Sequence, residues 1–383
     1  MTPAARVQAA IEVLDRISAD LAAEQALTNW ARGARFAGSK DRAAVRDHVY
    51  DVLRQRRSVA ALGGGESGRQ SMLGLLRLQG VAPEALFTGD GYGPVPLSEE
   101  ELQAGQPAEG NAALDLPDWL APRFIADLGS EAEAVAEALK TRAPVFLRVN
   151  QGLTSVPQAI EALSEEGITA APHALSPQAL MVTGNPRRVA QSDAYLNGWV
   201  ELQDAASQAV VDLLPLESGQ RVLDYCAGGG GKTLAMAARL NGPVDAHDAN
   251  PGRLRDLPVR AERAAANVSI VDQPDGEYDL VLCDVPCSGS GAWRRSPEGK
   301  WTLTPEKLAA VQKVQAQILR EASGFVRSGG CLAYVTCSVL RCENMDQIES
   351  FLKDMPDWAV GPSRHFLPAD GGDGFFVSCL TRA

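Results

Sequence analysis

Two cysteines, Cys287 and Cys337, stand 50 residues apart, and each follows a hydrophobic run that reads as a buried strand, Tyr278–Cys283 and Cys331–Val335. Each sits in a short polar turn, Asp284-Val285-Pro286-Cys287-Ser288-Gly289 and Thr336-Cys337-Ser338. A thiolate at a strand end, beside a small-molecule site, is suited to covalent catalysis. A lone free cysteine is more often a small buried hydrophobe, so the case rests on the surroundings of the pair. Upstream lies a glycine-rich loop, Asp224-Tyr225-Cys226-Ala227-Gly228-Gly229-Gly230-Gly231-Lys232. In an open α/β sheet the carboxyl ends of the strands share one crevice. The two thiols and the loop are therefore expected to converge there.

The loop follows a strand that ends in an acid, and it opens a helix. Glycines let backbone approach a ligand closely, and a helix N-terminus offers free N–H groups. A phosphate-binding P-loop needs Gly-x-x-x-x-Gly-Lys-Ser/Thr. Gly231-Lys232-Thr233 supplies its end, but the first glycine would fall at position 226, which is Cys. The spacing Asp224-x-Cys226-x-Gly228-x-Gly230 instead resembles the nucleotide-binding loop of S-adenosylmethionine-dependent methyltransferases, with Cys in place of the first Gly. An acid closing the next strand should then meet the ribose hydroxyls, and Asp248 stands there, followed by Arg253. The expected cofactor-binding set is Cys226, Ala227, Gly228, Gly229, Gly230, Gly231, Lys232, Asp248 and Arg253. A plain structural turn is the alternative, but strand, loop, helix, strand and acid all occur in order.

Carbon 5 of a pyrimidine is a poor nucleophile. A thiolate adding to carbon 6 creates an enamine able to attack a sulfonium methyl, and a carboxylate or backbone group must hold the base edge. Cys beside an Asp-x-Pro turn, with a second Cys on the next strand, supplies such parts. Asp224-Tyr225-Cys226-Ala227 with Gly230-Gly231-Lys232-Thr233, Asp284-Val285-Pro286-Cys287-Ser288-Gly289-Ser290-Gly291, and Thr336-Cys337-Ser338 with Glu343-Asn344 together resemble the signature set of the RNA cytosine-C5 methyltransferases. Arg294-Arg295-Ser296-Pro297 with Lys300-Trp301 is similar to the bacterial Sun/Fmu branch, which methylates small-subunit ribosomal RNA. That branch begins with a NusB-like helical RNA-binding domain, which the stretch from Asp41 to Arg54 resembles; Gln203–Gln208, ahead of the catalytic sheet, also matches.

The resemblance implies that Cys337 is the nucleophile and that Cys287 releases the product. It implies that Asp284 holds the cytosine edge and borders the cofactor, that Lys232 supports the site, and that Asp272 is the adenine contact. Two positions depart from the family pattern: Gly228-Gly229 stand where Ala-Pro is usual, and Arg341-Cys342 where Pro-Glu is more common. The substrate implied is a cytidine in RNA, 16S ribosomal RNA by the branch. A transfer-RNA enzyme of the same chemistry, or a non-catalytic assembly factor, are the alternatives.

The chain has 383 residues, with 45% hydrophobic and 22% charged content, the profile of an ordinary globular protein. A net charge of −12 argues against a general polyanion binder. The charge is uneven, however: residues 32–57 hold eight Arg or Lys against three Asp, and Arg294-Arg295 follow Cys287. Arg42, Arg46, Arg54, Arg294 and Arg295 are the expected RNA contacts. Trp293 is suited either to stacking on a base or to packing under the sheet. Seven cysteines without a CxxC pair, and four histidines without ligand spacing, give no metal site or disulfide framework. No signal segment or membrane span is read, so a cytoplasmic monomer is expected.

Three parts are expected. Residues 1–117 form a NusB-like helical domain plus a turn-rich connector over 88–117. Residues 118–198 form a small α/β linker domain, with Pro117 at a helix start. Residues 199–383 form a Rossmann-like methyltransferase domain, with strands alternating with helices around a doubly wound, mostly parallel sheet.

Overall fold

Apolar residues at helical spacing fold the first eighty residues or so into helices Pro3–Ser18, Ala23–Gly33, Ser39–Arg54, Arg56–Gly63 and Gly68–Leu78. Val7, Ala10, Ile11 and Leu14 of the first helix and Val45, Val49, Val52 and Leu53 of the third share one buried core. Thr2 caps the first helix, and Ser67 caps the fifth through a capping box with Gln70. The structure, a computed structural model, describes all 383 residues. Its chain divides into two units: Met1–Arg142 with Trp293–Leu303, and Ala143–Ala292 with Thr304–Ala383.

The helical unit is longer than the sequence pattern indicates. Helices Ala121–Leu128 and Ala132–Lys140 pack within it, and Arg142 pairs with Asp47 at 3.0 Å. Pro117 does not start a helix. Its carbonyl accepts from Leu120 and Ala121 in a turn, and Pro122 occupies the first turn of the helix instead.

The unit also takes in Trp293–Leu303, a segment that leaves the second unit after Ala292 and returns to it at Thr304. This overturns the exposed basic spot read at Arg294. Arg294 is 3% and Arg54 7% exposed. The Arg54 Nε donates to the Arg294 carbonyl at 2.8 Å, and its Nη1 pairs with Asp51 at 2.8 Å. Both arginines are buried structural residues rather than RNA contacts. Trp293, at 2% exposed, is buried and belongs to the helical unit, so it does not stack outward.

Lys300 is 1% exposed, and its Nζ donates to the Arg54 carbonyl at 2.6 Å. Burial pulls its ammonium down to about 7, whereas the unfolded group titrates near 10.5. Between these values the unfolded chain binds the extra proton, so the stability of the helical unit rises with pH, by at most about 1.4 kcal/mol per pH unit. Lys300→Met should flatten that slope between pH 7 and 9 in urea denaturation followed by tryptophan fluorescence. An unchanged slope would contradict this.

In the second unit, β1 (Val145–Val149), β2 (Thr169–Pro172), β3 (Ala179–Gly184) and β4 (Val200–Leu202) form an antiparallel sheet in the order β2-β3-β1-β4, backed by helix Val156–Glu165. β4 lies past residue 198, so this small sheet extends beyond the expected boundary. It is tied to the larger domain by Glu201, which pairs with Arg263 at 2.7 Å, and by Asn150, which donates to the Ala264 carbonyl.

The larger sheet holds β5 (Val222–Asp224), β6 (Val244–Ala246), β7 (Val268–Ile270), β8 (Tyr278–Asp284), β9 (Val326–Thr336), β10 (Trp358–Phe366) and β11 (Phe375–Arg382). Their order is β10-β11-β9-β8-β5-β6-β7, with β7 through β9 parallel and β11 running antiparallel to both its neighbours. Two apolar layers cover its faces, one built around Val222, Leu280 and Val335, the other around Leu223, Val281 and Tyr334. No helix is long and apolar enough to cross a membrane.

Candidate active site

β8 and β9 are parallel and in register at their carboxyl ends, Asp284 opposite Val335 and Cys283 opposite Tyr334. Cys287 lies three residues past the first strand and Cys337 one past the second. Two cross-loop bonds fix the turns: Val285 N–H donates to the Val335 carbonyl at 3.0 Å, and Gly291 N–H to the Cys337 carbonyl at 2.9 Å. The two sulfurs are left 3.3 Å apart, within hydrogen-bonding range and unbonded. The Cys287 thiol is raised well above its ordinary range, first by its hydrogen bond to Cys337, then by burial and by the negative charge Cys337 can carry.

The glycine loop closes β5 at the same end of the sheet. Lys232, on the helix Gly231–Leu240, is buried; its Nζ meets Asp284 Oδ2 at 2.7 Å and lies 4.8 Å over the Phe375 ring. Burial opposes its charge, but Asp284 outweighs that and holds the ammonium above its usual range; Cys337 acts in the same direction. The structure therefore brings Lys232, Asp284, Cys287 and Cys337 together. Cys226, in the loop itself, is pushed far up by burial and by Asp224, Asp284 and Asp248, and is an inert thiol.

The loop conformation requires glycine at Gly230. Its φ is +82°, and a Cβ there would stand 2.2 Å from Leu257 Cδ1. Gly228 also has a left-handed backbone, φ +51°, and its N–H donates to Asp248 Oδ2 at 3.0 Å. The Ala-Pro of the family pattern is replaced by glycines at the place where the loop is left-handed. Asp248 Oδ1 accepts from Asn250, and Arg253 pairs with Oδ2 at 3.1 Å. A carboxylate has about four acceptor positions, so Asp248 keeps roughly one for a ribose hydroxyl. Asp272, just past β7, is exposed.

Asp224 did not stand out as a binding residue in the sequence. It is 1% exposed, Thr233 donates to its Oδ2 at 2.7 Å, and its Oδ1 has no partner. Burial raises this carboxyl to about 7. A buried orphan oxygen beside a glycine cradle fits a ligand that brings a cationic group. Its only signal in the sequence is position, as the acid that closes the strand ahead of the loop.

On the helical unit, Arg42 and Arg46 are exposed and line a shallow groove of about 320 Å³ with Glu24 and Thr28. Arg46 pairs with Glu24, and Arg42 donates to the Ala37 carbonyl. Arg295 is exposed as well.

A Rossmann-like sheet with a reversed strand beside its parallel run, a glycine loop and an acid just past the following strand define a methyltransferase. Residues 211–381 match the family model described as 16S rRNA methyltransferase RsmB/F, and residues 116–189 match an RsmF/B-like ferredoxin-like domain. A ribosomal RNA small subunit methyltransferase B of Citrobacter koseri is 34% identical over 303 residues, covering 74% of this chain and 70% of that one. The protein of the same description from Vibrio cholerae is 30% identical over 340 residues, covering 84% and 76%. The crystal structure of PH0851 shares the fold across the whole chain, with a TM-score of 0.77 at 21% identity and 99% of that chain covered. The chain belongs to the RsmB/F family of rRNA methyltransferases. Its cofactor is S-adenosylmethionine, and the orphan oxygen of Asp224, the glycine cradle and Asp248 fit that molecule.

Proposed function

We propose that this enzyme methylates carbon 5 of a cytidine in small-subunit ribosomal RNA through a covalent bond between Cys337 and carbon 6. The observation that carries this reading is the 3.3 Å pairing of two thiols beside the Lys232–Asp284 ion pair. A methyl transfer to nitrogen or to a ribose hydroxyl would need no thiol.

Bound S-adenosylmethionine supplies an electrophilic methyl on a sulfonium. Asp284, one-third exposed on its side chain, accepts from the exocyclic amino group of an extruded cytosine and orients the ring. The Cys337 thiolate forms a bond to carbon 6, and the electrons of the carbon 5–carbon 6 double bond move to carbon 5, which takes the methyl. The proton on carbon 5 then passes to water, the double bond re-forms, and the bond from carbon 6 to sulfur breaks. Cys287 S–H hydrogen-bonds the departing thiolate. Lys232, itself buried, stabilises that charge. Arg42, Arg46 and Arg295 offer the exposed positive charge for the RNA backbone. The helical unit carries all three and includes the stretch that resembles NusB.

Incubation with methyl-labelled cofactor and 16S RNA or small subunits, followed by digestion to nucleosides, should put the label in 5-methylcytidine. Label in any other nucleoside would reject the reading. Label in transfer RNA alone would move the substrate, not the chemistry, and no transfer would favour an assembly factor.

A further inference from the structure

Two turns of the helical unit each put an aromatic ring into water. Between the helices Ala23–Gly33 and Ser39–Arg54, the Ala37 N–H donates to the Ala34 carbonyl at 3.0 Å. Ala34 and Ala37 are buried, which leaves Arg35 and Phe36 displayed, Phe36 77% exposed. In the connector, the Gly93 N–H donates to the Asp90 carbonyl at 2.9 Å, and Gly91 takes a left-handed backbone, φ +58°. Tyr92 is displayed in the same way, 86% exposed. A bond from the Gly89 N–H to the Pro94 carbonyl at 2.9 Å closes this second turn at its base. A turn needs no aromatic at such a position, and burial, not water, is where an aromatic ring stabilises a fold.

Both rings line one groove of about 1300 Å³, and the exposed Val95 lines it with them. Ala5, Ala9 and Ile11 of the first helix and Trp30 of the second add buried apolar lining. The charge the groove presents is negative. Glu12, Asp15 and Asp90 line it, all exposed and none paired with a cation. Glu12 accepts from the Gln8 side chain and Asp15 from the Gly68 N–H. The lining guanidinium of Arg69 is held by Glu101 at 2.6 Å, and the terminal amine of Met1 by Asp41 at 3.2 Å. Arg35 and Lys40 stand near Phe36 in the sequence but do not line the groove.

We propose that this groove docks a segment of a basic protein of the small ribosomal subunit, one that sets an apolar anchor against Phe36 and Tyr92 and Lys or Arg against Glu12 and Asp90. The class of partner rests on the ribosomal substrate argued above. Displayed aromatics around an apolar lining have the composition of a protein-docking surface. The rings alone would also suit base stacking, but unpaired carboxylates repel a phosphate backbone. They attract the cations that a protein must carry to bind RNA. A second copy of this chain, at a net charge of −12, is a poor source of such charge. Trp30 also lines the groove of Arg42 and Arg46, so surfaces of opposite sign adjoin, one suited to RNA and the other to a protein bound on it.

The test is photo-crosslinking with the full-length enzyme carrying p-benzoylphenylalanine in place of Tyr92. Each purified small-subunit protein is offered in turn, and 16S RNA separately, and the linked peptide is identified by mass spectrometry. A basic protein should cross-link, through a peptide with Lys or Arg next to an apolar residue. Its affinity for the unmodified enzyme, read by fluorescence anisotropy, should fall on the order of tenfold or more when Glu12→Lys and Asp90→Lys are combined. Phe36→Ser with Tyr92→Ser should weaken it on the same scale. All four side chains are exposed, so both variants should keep the wild-type urea midpoint. Cross-linking to no protein of the set, to RNA, or to a second copy of the enzyme would overturn the proposal. So would a partner whose affinity ignores the charge reversal. The readout is binding without methyl transfer, so its failure is distinct from failure of the nucleoside assay.

Discussion

Cys337→Ala is expected to lower methyl transfer on the order of 10⁴-fold or more, the scale on which loss of a covalent nucleophile acts. The effect should fall on chemistry alone. Cys337 lies at the end of β9, outside the glycine loop, and the bonds that hold its turn come from Thr336, Ser338, Asn344 and its own carbonyl. Removing one half-buried sulfur leaves these in place. Calorimetric titration with S-adenosylmethionine should therefore give wild-type affinity in a variant with no turnover. Transfer within tenfold of the wild-type rate would show that the bond to carbon 6 is not made by this residue.

Cys287→Ala is expected to act at the other end of the reaction. Carbon 6 can still be attacked, because the nucleophile and Lys232 are untouched. The departing Cys337 thiolate, however, loses a donor 3.3 Å away. A hydrogen bond to a charged group contributes about 1.5–3 kcal/mol, so release should slow by roughly 10- to 100-fold. The protein should then accumulate as an RNA-linked species that survives a denaturing gel and disappears on nuclease treatment. Normal turnover without such a species would make Cys287 a structural neighbour. A double Cys287→Ala, Cys337→Ala protein should give neither product nor adduct.

Much of this architecture is legible in the chain because its central strands are short apolar runs closed by polar turns. The apolar runs Tyr278–Cys283 and Cys331–Val335 both lie within strands, β8 and β9. The long helix Pro305–Ser323 ends just ahead of β9, which begins at Val326. The two edge strands carry no such signal. β10 alternates nothing, since seven of its nine residues are exposed, and β7 has only three residues at the opposite edge. Edge strands are held by pairing to a neighbour more than by their own side chains.

Charge misled at Arg54 and Arg294 for a related reason. A sequence shows a cation but not a backbone carbonyl that will bury it, and Arg54 reaches one 240 residues away. The hydrogen bonds that converge on the Glu343 carboxylate from Ser288, Gln315 and Ser338 are equally hidden in the sequence. Its donors are two serines, a glutamine and one backbone N–H drawn from three separate segments. Each is unremarkable alone, and only the parallel register of β8 and β9 brings them to one carboxylate.

The central claim is that Cys337 bonds to carbon 6 of a cytosine, and the most direct measurement traps that bond. RNA carrying 5-fluorocytidine cannot give up a proton at carbon 5 after methylation, so the adduct should persist on the wild-type enzyme. Digestion with nuclease and trypsin, followed by mass spectrometry, should place a methylated fluorocytidine on the peptide that contains Cys337. A nucleotide on Cys287, or no cross-linked peptide from an enzyme that methylates ordinary RNA, would contradict the account.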